Sequence, residues 1–376
     1  MVRRKRGNGE GSIYRRKDGR WVGQYLVYTA KGPKYRYIYG KTRQAVAEKL
    51  TKAMADRDGG LVFDTGTLTL GNYLDRWLLH IGDTVRQRIW ERYEQIVRVH
   101  LKPSPGFVKL KTLTATQVRS LYREKLNSGL APRTVQYIHT TLHKALKEAV
   151  ADGLIPRNAA DTVKAPRPKK KEIKPLSADQ TRAFLGAACG DRFEALYVLA
   201  VHCGLREGEL LGLKWEDVNL DAGTLAVRRT LSEPKTGHRF EAPKSGKARS
   251  IKLTAGAVEA LKQHRKRQLE ERMRLAGLWE NHELVFPNTI GKPMNASNLI
   301  ARSFKPLLEQ AGLPRKVRLH DLRHTCATLL VSKGVHMKIV QELLGHANIS
   351  QTMDTYSHVL PNMQGEAVIA MQEALS

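Results

Sequence analysis

No stretch of the 376 residues offers the run of about 18 to 20 apolar side chains that a membrane span requires, and the opening MVRRKRGNGEG lacks the apolar centre of a secretion signal. Both absences predict a cytoplasmic protein. Cysteine is scarce: Cys189, Cys203 and Cys326 are odd in number and have no CxxC spacing. That excludes a disulfide framework and a cysteine zinc knuckle and leaves reduced thiols. There is no GxxxxGK[ST] phosphate loop, and GNGEG at residues 7–11 is too short and misplaced for a dinucleotide fingerprint. Low-complexity tracts and sustained heptads are missing too, while 41% of the residues are apolar, enough to bury several cores.

Acidic residues are the other deficit: 36 Asp and Glu face 64 Lys and Arg, a net charge of +28, so the expected partner is a polyanion such as nucleic acid. The excess is uneven. Residues 1–60 hold 16 basic and 5 acidic side chains and residues 61–171 hold 20 and 9, whereas residues 172–376 hold 28 and 22. The first half is composed to grip phosphates through counterion release, and the larger second part owes its purpose to something more local.

The patterning predicts a multidomain, mainly helical protein with small antiparallel sheets. In residues 1–62 three short strands, turning at Lys17-Asp18-Gly19 and Lys31-Gly32-Pro33, precede a helix capped by Thr42. Alternation puts Tyr35, Tyr37 and Tyr39 on one strand face, expected to pack on that helix. The other face, or the strand carrying Arg15, Arg16, Arg20 and Gln24, is then free to meet a DNA groove. Residues 66–163 show four helical periods, one opened by a Thr114/Gln117 capping box, and predict a compact bundle. Residues 164–176 are rich in proline and lysine, without apolar period, and read as an exposed linker whose Lys169, Lys170 and Lys171 contact DNA. Ser177 with Gln180 caps the next helix and opens a mixed α/β domain over residues 177–376, mostly helical with a small inserted antiparallel sheet.

Four segments of that last domain carry candidate chemistry: GLREGELLGL around Arg206, APKSGKARSI around Lys244, LHDLRHT with His320 and Arg323, and LLGH with His346 followed by Tyr356 in ISQTMDTYSHV. Taken in this order and spacing, Arg206, Lys244, His320, Arg323, His346 and Tyr356 resemble the catalytic set of the tyrosine recombinases, the lambda-type phage and integrative-element integrases. The resemblance extends over most of the chain, because the basic β-module is similar to an arm-site DNA-binding domain and the helical bundle to a core-binding domain.

The resemblance implies an integrase that cleaves attachment-site DNA through a 3′-phosphotyrosine, exchanges strands through a Holliday junction, and integrates and excises a mobile element. It also implies a homotetramer on duplex DNA, nucleoid-associated in a bacterial host, with a host DNA-bending protein and an excision factor as further partners. Side-chain chemistry agrees. A tyrosine hydroxyl attacking phosphorus conserves bond energy in a covalent intermediate, the role expected of Tyr356. Arg206 and Arg323 supply permanently charged donor forks for the non-bridging oxygens. His320, three residues before Arg323 on one helix face, is placed to take the tyrosine proton. Lys244 in its turn would protonate the leaving 5′ oxygen, and His346 after Gly345 would hydrogen-bond the phosphate or that oxygen. Glu209 would orient Arg206. Cationic side chains replace the charge stabilisation of a divalent metal, so neither metal nor cofactor is expected.

Plainer readings stand beside these. AVHCGLREGELLGL also has the look of a helix-turn-helix with Gly204 at the turn. His320 and His324, four apart, have zinc-binding spacing but lack the glutamate of HExxH, and His324 is expected to pack or orient. Lys247 shares the turn of Lys244. A type IB topoisomerase-like enzyme and a non-catalytic DNA-binding regulator of the same fold are the alternatives. The final segment, LPNMQGEAVIAMQEALS, contains an amphipathic run expected to dock on a neighbouring subunit.

Overall fold

The computed structural model describes residues 11–29, 32–58, 67–168, 174–234, 236–243, 246, 248–356, 368 and 371–375. The chain divides into two compact units, Met1–Lys170 and Lys171–Ser376. Lys169, Lys170, Lys171, Lys244 and Lys247, and most of the C-terminal run after Tyr356, lie outside the described residues.

The first unit opens with a meander of β1 (Ser12–Arg15), β2 (Trp21–Thr29) and β3 (Gly32–Gly40), followed by α1 (Arg43–Asp58). Strand order is β1-β2-β3, all antiparallel. Thr42 caps α1 by accepting from Ala45 N at 3.2 Å. Directly paired residues share a sheet face, and the register sets Val22 against Tyr39, Gln24 against Tyr37 and Leu26 against Tyr35. The helix lies on the opposite face, where Leu50 packs with Tyr25, Val27, Ile13 and Ile38 and the buried Val46 sits over Gly23 and Gly40.

The tyrosine row therefore does not pack on its helix: Tyr35, Tyr37 and Tyr39 are 54%, 49% and 48% exposed. The reason is steric. A Cβ at Gly23 or Gly40 would sit 2.9 or 2.7 Å from Val46, so only the glycine-bearing face lets the helix approach. Gln24 shares the open face with the tyrosines, while Arg16 and Arg20 flank Asp18 in the β1-β2 turn at 3.9 and 3.4 Å. Arg15 pairs with Trp21 on the helix side of the sheet, and its Nε donates to Gly19 O.

A separate apolar cluster is built by α2 (Leu70–Ile81), α3 (Gln87–Ile96), α4 (Ala115–Asn127) and α5 (Pro132–Ala151). Both bonds of the Thr114/Gln117 capping box are present, and proline occupies the first turn of α5, where its missing N–H costs nothing. Leu74, Leu101, Ile138 and Leu142 are fully buried, and Tyr73 donates to Ala145 O at 2.7 Å, fixing α2 on α5. On the surface, the guanidiniums of Arg92 and Arg133 lie 4.7 and 5.2 Å from the Tyr137 ring centre.

The second unit contains α6 (Ala178–Ala187), α7 (Glu194–His202), α8 (Glu207–Leu211), β4 (Val218–Asn219), β5 (Thr224–Val227), β6 (Thr230–Ser232), β7 (Arg239–Glu241) and β8 (Arg249–Lys252). Helices α9 (Ala255–Leu275), α10 (Ala296–Leu299), α11 (Lys305–Gln310), α12 (Leu319–Ser332), α13 (Met337–Leu344) and α14 (Ile349–Tyr356) follow. Strands pair in the order β4-β5-β8, and β6 with β7 forms a separate ribbon. Helix α7 is apolar nearly all round, as a central helix must be: Ala195, Leu196, Tyr197, Leu199, Ala200 and Val201 are buried. The expected linker is anchored at its far end, where Leu176 is buried and its N–H donates to Thr325 Oγ1 at 3.0 Å.

Glycines four apart shape the turn after α7. Gly204 has φ +60, and a Cβ there would meet Leu344 Cδ2 at 2.6 Å; one at Gly212 would meet Leu231 N at 2.7 Å. A Cβ at Gly208 would collide with Thr230 Oγ1. The backbone is thus pressed against α13 and β6, which corrects the helix-turn-helix reading. Helix α8 spans only five residues and buries three of them, Glu209, Leu210 and Leu211, too short and too covered to serve as a recognition helix.

Candidate active site

Arg206 is the N-cap of α8, and its backbone N–H and guanidinium both reach Glu209, at 3.0 and 2.7 Å. A second Arg206 nitrogen donates to Gly345 O at 3.2 Å. Glu209 is 2% exposed and accepts two further bonds from Arg249 of β8, at 3.1 and 2.7 Å. Burial alone would raise this carboxyl, yet the hydrogen bonds and charge of Arg249, then of Arg206, hold it near 2. Arg249 Nε also donates to Leu343 O at 2.9 Å, joining β8 to the end of α13.

Arg323 on α12 is 2% exposed and donates to Gly204 O and Leu344 O, both at 2.7 Å. Burial, then the repulsion of Arg206, lowers it to about 9, which keeps it charged at neutral pH. Gly345 ends α13 in the left-handed conformation, φ 64 and ψ 46, and turns the chain so that His346 follows into the site. His346 Nδ1 is 2.8 Å from Thr352 Oγ1. Burial and the neighbouring cations Arg323 and Arg206 push its imidazole down to about 4. His320, in the first turn of α12, is exposed at the surface; local desolvation, then His324 and Arg323, lower it to about 4. Both rings are neutral at pH 7.

Tyr356 closes α14, 2% exposed, and burial raises its phenol to about 12 against the pull of Arg323. Its hydroxyl lies 2.7 Å from Nδ1 of His324. The sequence points to His320 as its partner, but that ring instead meets the His324 ring edge-on at 4.9 Å. Helix geometry explains the exchange: His324 stands one turn further along the same face. Arg206, His320, Arg323, His324, His346 and Tyr356 line one open pocket of about 330 Å³. A smaller cavity of about 110 Å³ beside Trp215 and Trp279 holds none of them.

Five of the six expected residues thus meet in one place, and the position of Lys244 lies outside the described residues. Sequence reasoning missed Arg249, although a signal existed: strand alternation puts it on the same face as the buried Ile251, where an arginine needs a carboxylate. It expected His324 to pack or orient, and the structure sets that ring against both His320 and Tyr356.

Residues 174–363 match the model of the phage integrase family. The chain belongs to that family. A XerC-like tyrosine recombinase of Caldanaerobacter subterraneus subsp. tengcongensis is 31% identical over 357 residues, covering 89% of this chain and 91% of the relative. This phage integrase family member is therefore a site-specific tyrosine recombinase, of a class that breaks and rejoins DNA. Its fold is similar to that of the Tn1549 transposon integrase solved with transposon right-end DNA, with a TM-score of 0.70 at 21% identity over 82% of this chain and 100% of that one. It is similar as well to the lambda integrase tetramer solved on a Holliday junction, with a TM-score of 0.58 at 22% identity over 93% and 96%.

Proposed function

We propose that this recombinase cleaves one strand at each of two attachment sites by attack of Tyr356 on a backbone phosphate. A 3′-phosphotyrosine forms and a 5′ hydroxyl is released. The observation that carries the reading is the convergence of Arg206, Arg323, His320, His346 and Tyr356 on a single pocket large enough for a phosphate and its flanking sugar oxygens. Arg206 and Arg323 are held by Glu209 and by backbone carbonyls before any DNA arrives, so their charge meets the pentavalent phosphorus without reorganisation. Neutral His346 and His320 donate to the non-bridging oxygens, and Lys244 protonates the leaving oxygen. Glu209 and Arg249 act on the reaction through Arg206.

In the same reading residues 1–62 bind arm-site DNA through the open face of the three-stranded sheet, where Gln24 stands among Tyr35, Tyr37 and Tyr39, with Arg16 and Arg20 at its edge. Residues 66–163 hold the core site, residues 164–176 with Lys169, Lys170 and Lys171 link the halves along the phosphates, and residues 177–376 do the chemistry. Four copies assemble on the paired sites and pass through a Holliday junction, with a DNA-bending protein and an excision factor setting direction. The product is an integrated or excised mobile element.

The test is a nicked suicide duplex spanning DNA that flanks the gene. A denaturation-resistant protein–DNA adduct should form, persist in EDTA, and vanish in Tyr356→Phe. An adduct on another residue would overturn the reading. Relaxation of supercoils without any recombinant product would replace it with the topoisomerase alternative.

A further inference from the structure

We propose that His324, rather than His320, is the base that removes the proton from Tyr356. This rests on the phosphotyrosine reading above and names the group that activates its nucleophile. The phenol oxygen and His324 Nδ1 are already at hydrogen-bonding distance, 2.7 Å, and the two rings lie 5.8 Å apart, tilted by 54°. Proton abstraction needs this contact before any question of basicity arises. Two other acceptors nearby are engaged, His346 Nδ1 with Thr352 and both oxygens of Asp321 with Arg318, and the His320 ring stands edge-on to His324. Arg323 is a donor already committed to two carbonyls.

The charges around His324 suit the task. Burial lowers its imidazole, with Asp321 opposing and Arg318 and Arg323 adding to the effect, so the ring is neutral at neutral pH, and action as the base requires the tautomer with its proton on Nε2, which leaves the lone pair on Nδ1. A phosphate entering the pocket brings negative charge beside that ring and favours the imidazolium at the moment it forms.

The step balances. The phenol proton passes to Nδ1 as the tyrosyl oxygen bonds to phosphorus. The bond from phosphorus to the 5′ oxygen breaks with its electron pair, and that oxygen takes a proton from a separate acid, the role expected of Lys244. In rejoining, the 5′ hydroxyl attacks and gives its proton back to the deprotonated acid, Lys244, while the tyrosyl oxygen leaves and the imidazolium returns its proton. One imidazole thus serves both directions, and the phenol is reset for the next exchange.

His324→Asn separates this role from mere positioning, because its amide oxygen accepts a hydrogen bond near the Nδ1 position but takes no proton. On the nicked suicide duplex, the variant should bind within about twofold of the parent and form adduct on the order of 10²–10⁴-fold more slowly. Replacing Tyr356 with a ring-fluorinated tyrosine, a more acidic phenol, should speed His324→Asn far more than it changes the parent. A 5′-bridging phosphorothiolate, whose sulfur leaves without a proton, should not restore the variant's rate. Adduct formation by His324→Asn at the parent rate, or an equal effect of fluorination in both backgrounds, would overturn the proposal. If the parent forms no adduct, the phosphotyrosine reading fails first and this one falls with it.

Discussion

Arginine does two different jobs in the two units of this molecule. In the first, Arg16, Arg20 and Arg133 stand at the surface. Arg16 and Arg20 share one aspartate across a turn, with side chains 53% and 69% exposed, and Arg133 leans on an aromatic ring. Such pairs contribute little to stability and leave the charge free to attract a polyanion. In the second unit Arg206, Arg249 and Arg323 are sunk among carbonyls and a buried glutamate, their guanidiniums assigned partners in advance. On the proposed reading, the contrast means that net charge locates binding while fixed charge locates chemistry. Residues 172–376 carry little excess charge, and the pocket proposed to be reactive is there.

The sharpest way to break this comparison is to remove fixed charge. Arg206→Ala and Arg323→Ala should each slow adduct formation by at least about 10²–10³-fold while DNA affinity in a gel-shift titration changes only a few-fold. Parallel loss of binding and cleavage would erase the distinction.

Glu209 offers a graded test. Its folded value of about 2 lies below the ordinary 4.5, so the stability it contributes is present above about 4.5 and is lost as pH falls through about 2. Thermal unfolding should show Glu209→Gln well below the parent at pH 7, with the gap narrowing as pH drops from 5 towards 2. A gap independent of pH would mean that the carboxylate does not hold these arginines.

The smallest effect belongs to the solvated charges. Arg16→Gln with Arg20→Gln should leave unfolding unchanged and lower the salt dependence of binding by about 0.9 in log–log slope for each phosphate that is no longer neutralised. Tyr37→Ala should likewise spare stability yet weaken arm-site binding. An undisturbed salt slope would mean that other side chains neutralise those phosphates.

Much of this was legible in the sequence, for local reasons. Capping boxes at Thr114/Gln117 and Ser177/Gln180 are written in adjacent residues and form as spelled. The pocket residues are fixed by motif order. Facing was harder: period-two alternation sorts Tyr35, Tyr37 and Tyr39 onto one side but does not say which side a helix covers. That choice was encoded in Gly23 and Gly40, the bare positions that admit Val46. The pairing of His324 with Tyr356 depends on how α14 folds back on α12 across 32 residues, a tertiary relation that no local spacing encodes. Leu176, which the composition assigns to an exposed linker, is held by Thr325, 149 residues later.

Gly345 concentrates these dependencies in one backbone position. Its left-handed turn lends a carbonyl to Arg206, and a Cβ there would come within 2.8 Å of the Arg249 guanidinium. On the proposed reading, a single methyl group at this spot, strained by the left-handed φ of 64, would disarm the catalyst without blunting its search for a target. The altered protein would be an obstruction rather than an absence, parked on its sites and shutting out intact copies.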